Sequence, residues 1–167
     1  LDSPIISHLI QKIETSNDKI TFSRVDADVI DKLIKKENEE LSKLDDKEKE
    51  KLKKIIEENV PKEKYTVQLE SMDSNAAPFV ITFPEFMRRM KEMQQSGGNS
   101  MFGNMPEIYN LIINVNNPIN SEILKSKSKD KKERLIKQSL DLAKLSQNLL
   151  KGEDLTSFIK RSIDFIR

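Results

Sequence analysis

The spacing of the apolar residues changes along this chain, and this change restricts the fold more than any other feature of the sequence. Near both ends, apolar residues recur every three or four positions, as they do in amphipathic helices. In the middle they alternate with polar residues, which is typical of half-buried strands. No apolar run approaches the roughly 18 residues that a membrane-spanning helix needs. The pattern therefore predicts an α+β fold, and we expect no membrane partner.

The order of these segments predicts an architecture. Helices are expected over residues 3–14, 26–34, 46–59, 84–95, 117–125, 129–151 and from 154 onwards, and strands over 20–25, 65–69, 78–83 and 108–115. The last three strands are expected to form a small antiparallel sheet. Asp45 and Glu48 resemble a capping box at the start of the helix over 46–59. Gly152 is the expected C′ residue of the long helix over 129–151.

The composition leaves the chain short of core material. Hydrophobic residues make up 36% and charged residues 34% of its 167 residues, whereas ordinary globular domains contain about 45–50% apolar residues. Either part of the chain is solvated helix, or part of its core lies on another chain. The formal net charge of +1 argues against a nucleic-acid partner, because such proteins usually carry a clear basic excess. The lack of cysteines excludes disulfides and thiolate metal sites and fits a reducing compartment.

Signals for catalysis are weak. The single histidine, His8, is interpreted as an ordinary surface or packing residue. The glycine-containing segment 96–106 lacks the Lys-Ser/Thr ending of a phosphate-binding loop. The lysine-rich stretch 125–132 could contact phosphates, but it contains no aromatic residue and is better interpreted as a linker. We expect no catalytic, cofactor-binding or metal-binding residue in this chain.

Methionine is confined to one segment. All six methionines lie between Met72 and Met105, together with three of the four glycines. An apolar stripe on the predicted helix over 84–95 is normally part of a core. Methionine is flexible and polarizable, however, and proteins use it on surfaces that accept varied apolar partners. The residues that would form such a surface are Phe86, Met87, Met90, Met93, Met101 and Phe102.

The last two predicted helices are a second candidate for an interaction surface. Two antiparallel helices with apolar faces cannot close a core alone, whereas docking on a second copy gives a four-helix bundle. Alternatively, both helices pack on the sheet; the charged linker over 125–132 separates them from it and favours the dimer. The residues predicted for the dimer interface are Leu140, Ala143, Leu149, Leu150, Leu155, Phe158, Ile159, Ile163 and Ile166.

Five stretches of the sequence resemble one protein family. They are LDSPIISHL over 1–9, FSRVDADVIDKL over 22–33, PEFMRRM over 84–90, GNMPEIYNL over 103–111 and LDLAKLSQNLLKGEDL over 140–155. In their order and their spread over nearly the whole chain, they are similar to the C-terminal third of the bacterial HtpG family, the prokaryotic branch of the ninety-kilodalton heat-shock chaperones.

The resemblance implies part of an ATP-driven dimeric chaperone of three domains. Residues 1–40 would be the end of its middle domain and residues 41–167 its dimerisation domain, with the last two helices as the interface. The methionine-bearing helix would contact unfolded or partly folded client proteins. ATP and magnesium would bind in the N-terminal domain of the full-length protein, so no ATPase activity is expected here. The alternative is a purely structural homodimerisation domain, with clients bound elsewhere in the full-length chain.

The two ends of the sequence add further expectations. The chain starts directly on a helix signal at Leu1 without a signal peptide, so we expect a piece of a longer, cytoplasmic protein. It ends at Arg167 without the acidic tail of the eukaryotic cytosolic members of the class, which fits a bacterial form.

Overall fold

The computed structural model describes residues 4–17, 20, 22, 42, 44–84, 87 and 107–166. Within these residues the elements are α1 (Pro4–Ser16), α2 (Asp46–Glu57), β1 (Tyr65–Glu70), β2 (Phe79–Thr82), β3 (Tyr109–Asn114), α3 (Pro118–Lys125), α4 (Lys129–Ser146) and α5 (Gly152–Ile166). The predicted α+β class is confirmed. The predicted strand over 20–25 and the predicted helices over 26–34 and 84–95 lie largely outside the described residues.

Helix α2 begins where its capping signal predicts. The Oδ1 atom of Asp45 accepts a hydrogen bond from the Glu48 N–H at 2.7 Å, and the Asp45 N–H donates to Glu48 Oε2 at 3.2 Å. This reciprocal pair satisfies N–H groups that lack a partner within the helix. The helix then packs against β1 and α3, with Leu52 and Ile56 fully buried.

The sheet is mixed, which corrects the prediction of an antiparallel sheet. The strand order is β1-β3-β2. β1 runs parallel to β3, with Tyr65 opposite Tyr109, and β2 runs antiparallel to β3, with Phe79 opposite Ile113. β1 and β2 therefore run in opposite directions, but β3 lies between them. The alternation of apolar and polar residues predicts where strands occur but not which strands pair with each other. β3 lies at the centre because its apolar run, ending at Ile113, is suited to burial on both faces.

Most of the core lies on one face of this sheet. Helix α4 packs across β2 and against α3, and Ile136, Leu140 and Ala143 belong to the main cluster. The opposite face carries a smaller buried cluster around Met72 and Ile112. The expectation that a linker separates the last two helices from the sheet is therefore wrong for α4. Residues 126–128 suffice to connect α3 to α4.

The connection over residues 71–78 must cross the end of β3, since β3 lies between the two strands that it joins. Four buried asparagines at and after this end hold the connection through their side-chain amides. Their Nδ2 atoms donate as follows: Asn114 to Asp73 O (2.8 Å), Asn116 to Met72 O (3.1 Å), Asn117 to Ala76 O (2.8 Å) and Asn120 to Pro78 O (3.0 Å). These bonds add side-chain donors to backbone carbonyls of the connection, two of which, Asp73 O and Pro78 O, also accept a backbone N–H.

Helix α4 ends at Ser146, before the predicted position. The Asn148 N–H donates to Leu145 O at 3.1 Å, and the Leu149 N–H donates to Lys144 O at 2.8 Å. These two bonds define a Schellman motif with Asn148 at C′, where its φ is 58°. Gly152, predicted for that position, instead opens α5 with a φ of 57°. Asparagine tolerates the left-handed conformation better than most residues, which allows it to replace glycine here.

Candidate interaction surface

The part of the molecule formed by α4 and α5 exposes large apolar side chains. Residues 142–163 contain five of the nine large apolar side chains that are exposed within the described part of the chain. They are Leu142 (45% exposed), Leu145 (42%), Leu149 (37%), Ile159 (49%) and Ile163 (47%). Single exposed apolar residues are ordinary, but a concentration of them marks a surface for interaction.

Helix α5 has two sides with different roles. Arg161 and Ser162 bind α4 through their side chains, and Phe158 is buried. Leu155, Ile159 and Ile163 follow one another at intervals of four residues, so they share another side of the helix. Leu155 is half-buried and the other two are exposed. We call these three residues the α5 stripe.

The joint between α4 and α5 is polar. Asp141 of α4 is 5% exposed, and its carboxylate pairs with Arg161 of α5 and, at 3.4 Å, with Lys144 Nζ. One turn earlier on α4, Gln138 Nε2 donates to Ser162 Oγ at 2.8 Å. A buried carboxylate is tolerated only when it is paired in this way. The joint therefore depends on side chains from both helices.

Two tyrosines of the sheet, Tyr65 of β1 and Tyr109 of β3, have raised pKa values. Burial, and then the negative charge of Asp141, raise the pKa of Tyr65 above its ordinary value. The Tyr109 ring centroid lies 6.2 Å from that of Tyr65 and 5.4 Å from that of Phe83. Burial raises the pKa of Tyr109 well above its ordinary value, and so does Glu107, whose Oε2 accepts from the Tyr109 hydroxyl at 2.6 Å. Asp141 thus acts electrostatically on β1 as well as on α5.

The residues predicted for the dimer interface fall into different environments. The exposed ones are Leu149, Ile159 and Ile163, while Leu155 is half-buried. The buried ones are Leu140, Ala143, Leu150 and Phe158, each at most 7% exposed. Ile166 ends α5, and its side chain lies outside the described part of the chain. The predicted set omits Leu142 and Leu145, although both are leucines of the predicted long helix and widen its apolar face in the sequence. Their common role in an interface stays a prediction.

The residues predicted for client binding lie mostly outside the described part of the chain. Met87 is helical and half-buried. Phe86, Met90, Met93, Met101 and Phe102 are outside the described residues. Another methionine, Met72, is buried in the smaller cluster beneath the connection over 71–78. The client-binding assignment therefore remains a prediction.

Other kinds of site have little support in the described part of the chain. A shallow depression of about 420 Å³ is lined by Pro118, Ser121, Glu122, Lys125, Ser126 and Lys131, and Glu122 and Lys131 form an ion pair there. Within the described residues, no three acidic or histidine side chains are grouped so that they could hold a metal ion. The helices of that part include none with the length and hydropathy to cross a membrane.

An α+β domain that leaves an apolar helix pair exposed is typical of modules that assemble with other chains. No model of a protein family matches the chain. The chain is 32% identical over 234 aligned residues to chaperone protein HtpG of Bacteroides thetaiotaomicron. This alignment covers 99% of the chain and 34% of that protein. For HtpG of Bacteroides fragilis strain 638R the identity is 31% with the same coverage. HtpG of Porphyromonas gingivalis strain ATCC 33277 is 33% identical over 149 residues, covering 87% of the chain and 22% of that protein.

The chain belongs to the HtpG family of chaperones. It spans about a third of the length of the Bacteroides relatives that it matches. The alignments with these relatives, over 234 residues, are longer than the 167 residues of the chain, so the relatives contain stretches here that the chain lacks.

Proposed function

We propose that this chain is the dimerisation and client-contacting region of an ATP-dependent molecular chaperone that binds unfolded or partly folded proteins. The observation that carries the dimerisation half is the exposure of Leu142, Leu145 and Leu149 together with Ile159 and Ile163 of the α5 stripe. Water contact at these side chains is unfavourable, and a second copy of the chain relieves it. Two-fold dimers are the commonest assemblies, and a pair of helices from each copy makes a four-helix bundle.

The dimerisation half is tested by sedimentation at micromolar concentration. Wild type is expected to sediment as a dimer and Ile159→Asp as a monomer, because a carboxylate at the centre of the α5 stripe cannot be buried without a partner. Ile159 is 49% exposed, so the variant should keep the wild-type circular dichroism. Ser157→Asp, an exposed position on α5 outside the stripe, is the matched control and should remain dimeric. A monomeric wild type contradicts the proposal.

The client-contacting half rests on the sequence pattern and on membership of a chaperone family. A methionine-rich helix beside a glycine-containing segment is suited to guests of varied shape, because methionine adapts its rotamers. Two such helices in one dimer would hold a client by avidity. The half-buried, helical Met87 is compatible with a helix that packs on one side and leaves another side open.

Suppression of the aggregation of a heat-unfolded client protein tests this half. Met90→Asp is expected to weaken suppression while sedimentation still shows a dimer. Gln95→Asp, on the opposite side of the predicted helix, is the control and should leave suppression intact. If Met90→Asp unfolds the domain, the stripe belongs to a core. If it changes neither folding nor suppression, the chain is a purely structural homodimerisation domain.

ATP and magnesium would bind in a part of the full-length protein beyond this chain. The support is the resemblance of the chain to one part of the HtpG family, and the glycine-containing segment over 96–106 lacks the residues of a phosphate-binding loop. Titration of the chain with labelled ATP should show no saturable binding, and nucleotide effects should be seen only in the full-length protein.

A further inference from the structure

We infer that Asp141 is a positioning residue for the proposed dimer: its carboxylate fixes α5 on α4 in the orientation at which the α5 stripe meets a second copy. The inference rests on the proposed dimerisation and adds the residue that controls it. Asp141 itself is buried within the chain and acts through Arg161.

A carboxylate at this position requires an explanation. Asp141 is flanked by Leu140 and Leu142 on a helix that packs on the sheet, and it is only 5% exposed. Buried ion pairs often contribute no more stability than apolar residues of similar volume, whereas removing one partner is strongly destabilising. The pair therefore enforces one geometry more than it adds stability. The planar guanidinium of Arg161 increases this directional effect.

The two links across the joint fix both the rotation and the position of α5. Asp141 holds Arg161, and Gln138 holds the neighbouring Ser162 at 2.8 Å. Successive residues of a helix are separated by about 100°, so a shift of α5 by one residue would break both links. Ile159 and Ile163 lie two residues on either side of Arg161. Any rotation that releases Arg161 must therefore move the stripe by the same angle.

The joint is not optimised for stability. Arg161 Nε and Gln138 Oε1 are buried without a hydrogen-bond partner among the described residues. Buried polar atoms without partners lower stability. The joint therefore provides orientation to α5, and a second copy that packs on the stripe would depend on that orientation.

Asp141→Asn tests the inference in the full 167-residue chain. It keeps the shape of the side chain but removes the charge that holds Arg161. Sedimentation equilibrium is expected to show a dissociation constant raised about tenfold or more, equivalent to about 1.4 kcal/mol. Hydrogen exchange should accelerate in α5, with the amides of β1, β3 and α2 unchanged. Asp164→Asn, an exposed carboxylate on α5 outside the stripe, is the control and should stay within about twofold of wild type.

A second variant covers the case in which Asp141→Asn unfolds the core. Asp141→Asn/Arg161→Gln removes both charges of the Asp141–Arg161 pair, so the guanidinium is not left in the joint without a carboxylate. Lys144, the other partner of Asp141, has a side chain that is 22% exposed and keeps contact with water. It should fold and still form a weaker dimer. If wild type is a dimer and both variants have the same dissociation constant as wild type, the inference about Asp141 is overturned while the proposed dimerisation stands. A monomeric wild type overturns the proposed dimerisation as well. Loss of exchange protection throughout the sheet in both variants assigns Asp141 a merely structural role and also overturns the inference.

Discussion

The sheet region and the α4–α5 pair differ in the exposure of their apolar side chains and in the partners of their buried polar groups. In the sheet region, Phe79, Ile81 and Leu111 are at most 2% exposed, and the buried asparagines bond to backbone atoms of the same chain. In the helix pair, large apolar side chains face water, and the buried polar groups bond to side chains across the joint.

The difference distinguishes a region that the chain stabilises by its own contacts, the sheet region, from a surface that still exposes apolar side chains, the α4–α5 pair. Backbone partners are fixed by the fold, so the asparagine amides stabilise a region that needs nothing further. Side-chain partners on two helices hold only while the helices keep their mutual orientation. The sheet region should therefore respond to substitution through folding, and the outer faces of the helix pair through association.

The sharpest test of this contrast uses two leucines that are two residues apart on α4. Leu140 is 6% exposed and lies in the main cluster, whereas Leu142 is 45% exposed. Leu140→Ala is expected to lower the free energy of unfolding by about 2–5 kcal/mol, since it leaves a cavity. Leu142→Ala should change it by less than about 0.5 kcal/mol. Urea unfolding followed by circular dichroism, at one fixed oligomeric state, measures both.

The two variants should rank in the opposite order when the dissociation constant of the dimer is measured. Leu142→Ala is expected to weaken the dimer, whereas Leu140→Ala should leave the dissociation constant unchanged for the molecules that remain folded. Equal losses of folding free energy for the two variants would remove the contrast between the two regions.

The asparagine bonds give the next largest expected effect. Asn114 is fully buried, and its Oδ1 accepts from the N–H groups of Met72 at 3.3 Å and Asn116 at 3.1 Å. Asn114→Ala leaves these groups and Asp73 O without that partner, which costs about 1–3 kcal/mol. Hydrogen exchange over residues 71–78 should accelerate. Asn75→Ala, at an exposed position of the same connection, should change neither quantity; equal effects of both variants would contradict the role of Asn114.

The sequence predicts elements whose signals are local. The reciprocal bonds of Asp45 and Glu48 form as the capping signal predicts, and Pro118 follows the capping Asn117 at the start of α3. The strand order was not predictable, because it depends on which strand is buried on both faces. Asn148 shows a similar limit, since either this asparagine or the nearby Gly152 is suited to a left-handed backbone.

The candidate surface was predicted in part. Helical spacing identifies the apolar side of α5, but it cannot distinguish core leucines from exposed ones on α4, because the sheet covers one side only. Leu140 and Leu142 differ in burial for this reason. Asp141 carries a weak signal as a carboxylate between two leucines, and its partner Arg161 is 20 residues away. Long-range pairs of this kind become visible only in the folded chain.

A smaller effect is expected at alkaline pH. The pKa values of Tyr65 and Tyr109 are raised in the folded state above an ordinary value of 10.0. Below that value both states keep their protons and stability is unaffected. Above it the unfolded chain loses its protons first, so the free energy of unfolding should fall as the pH rises. The chain contains two tyrosines, and urea midpoints of Tyr65→Phe/Tyr109→Phe across this range should fall less steeply than those of wild type. If the stability of both proteins falls with pH at the same slope, the pKa values of Tyr65 and Tyr109 are not raised by folding.

The smallest expected effect concerns the turn between α4 and α5, where the two left-handed positions should respond in opposite directions. Asn148→Gly is expected to stabilise the fold by about 0.5 kcal/mol, because glycine adopts the left-handed conformation without a steric penalty. Gly152→Ala should destabilise it by about 1 kcal/mol through backbone strain alone, since an added Cβ would have no atom within 4 Å. Thermal unfolding by circular dichroism measures both. Because glycine keeps the left-handed backbone of this turn, Asn148→Gly should also leave the dimer intact. If it weakens the dimer instead, the turn rather than Asp141 determines the orientation of the α5 stripe.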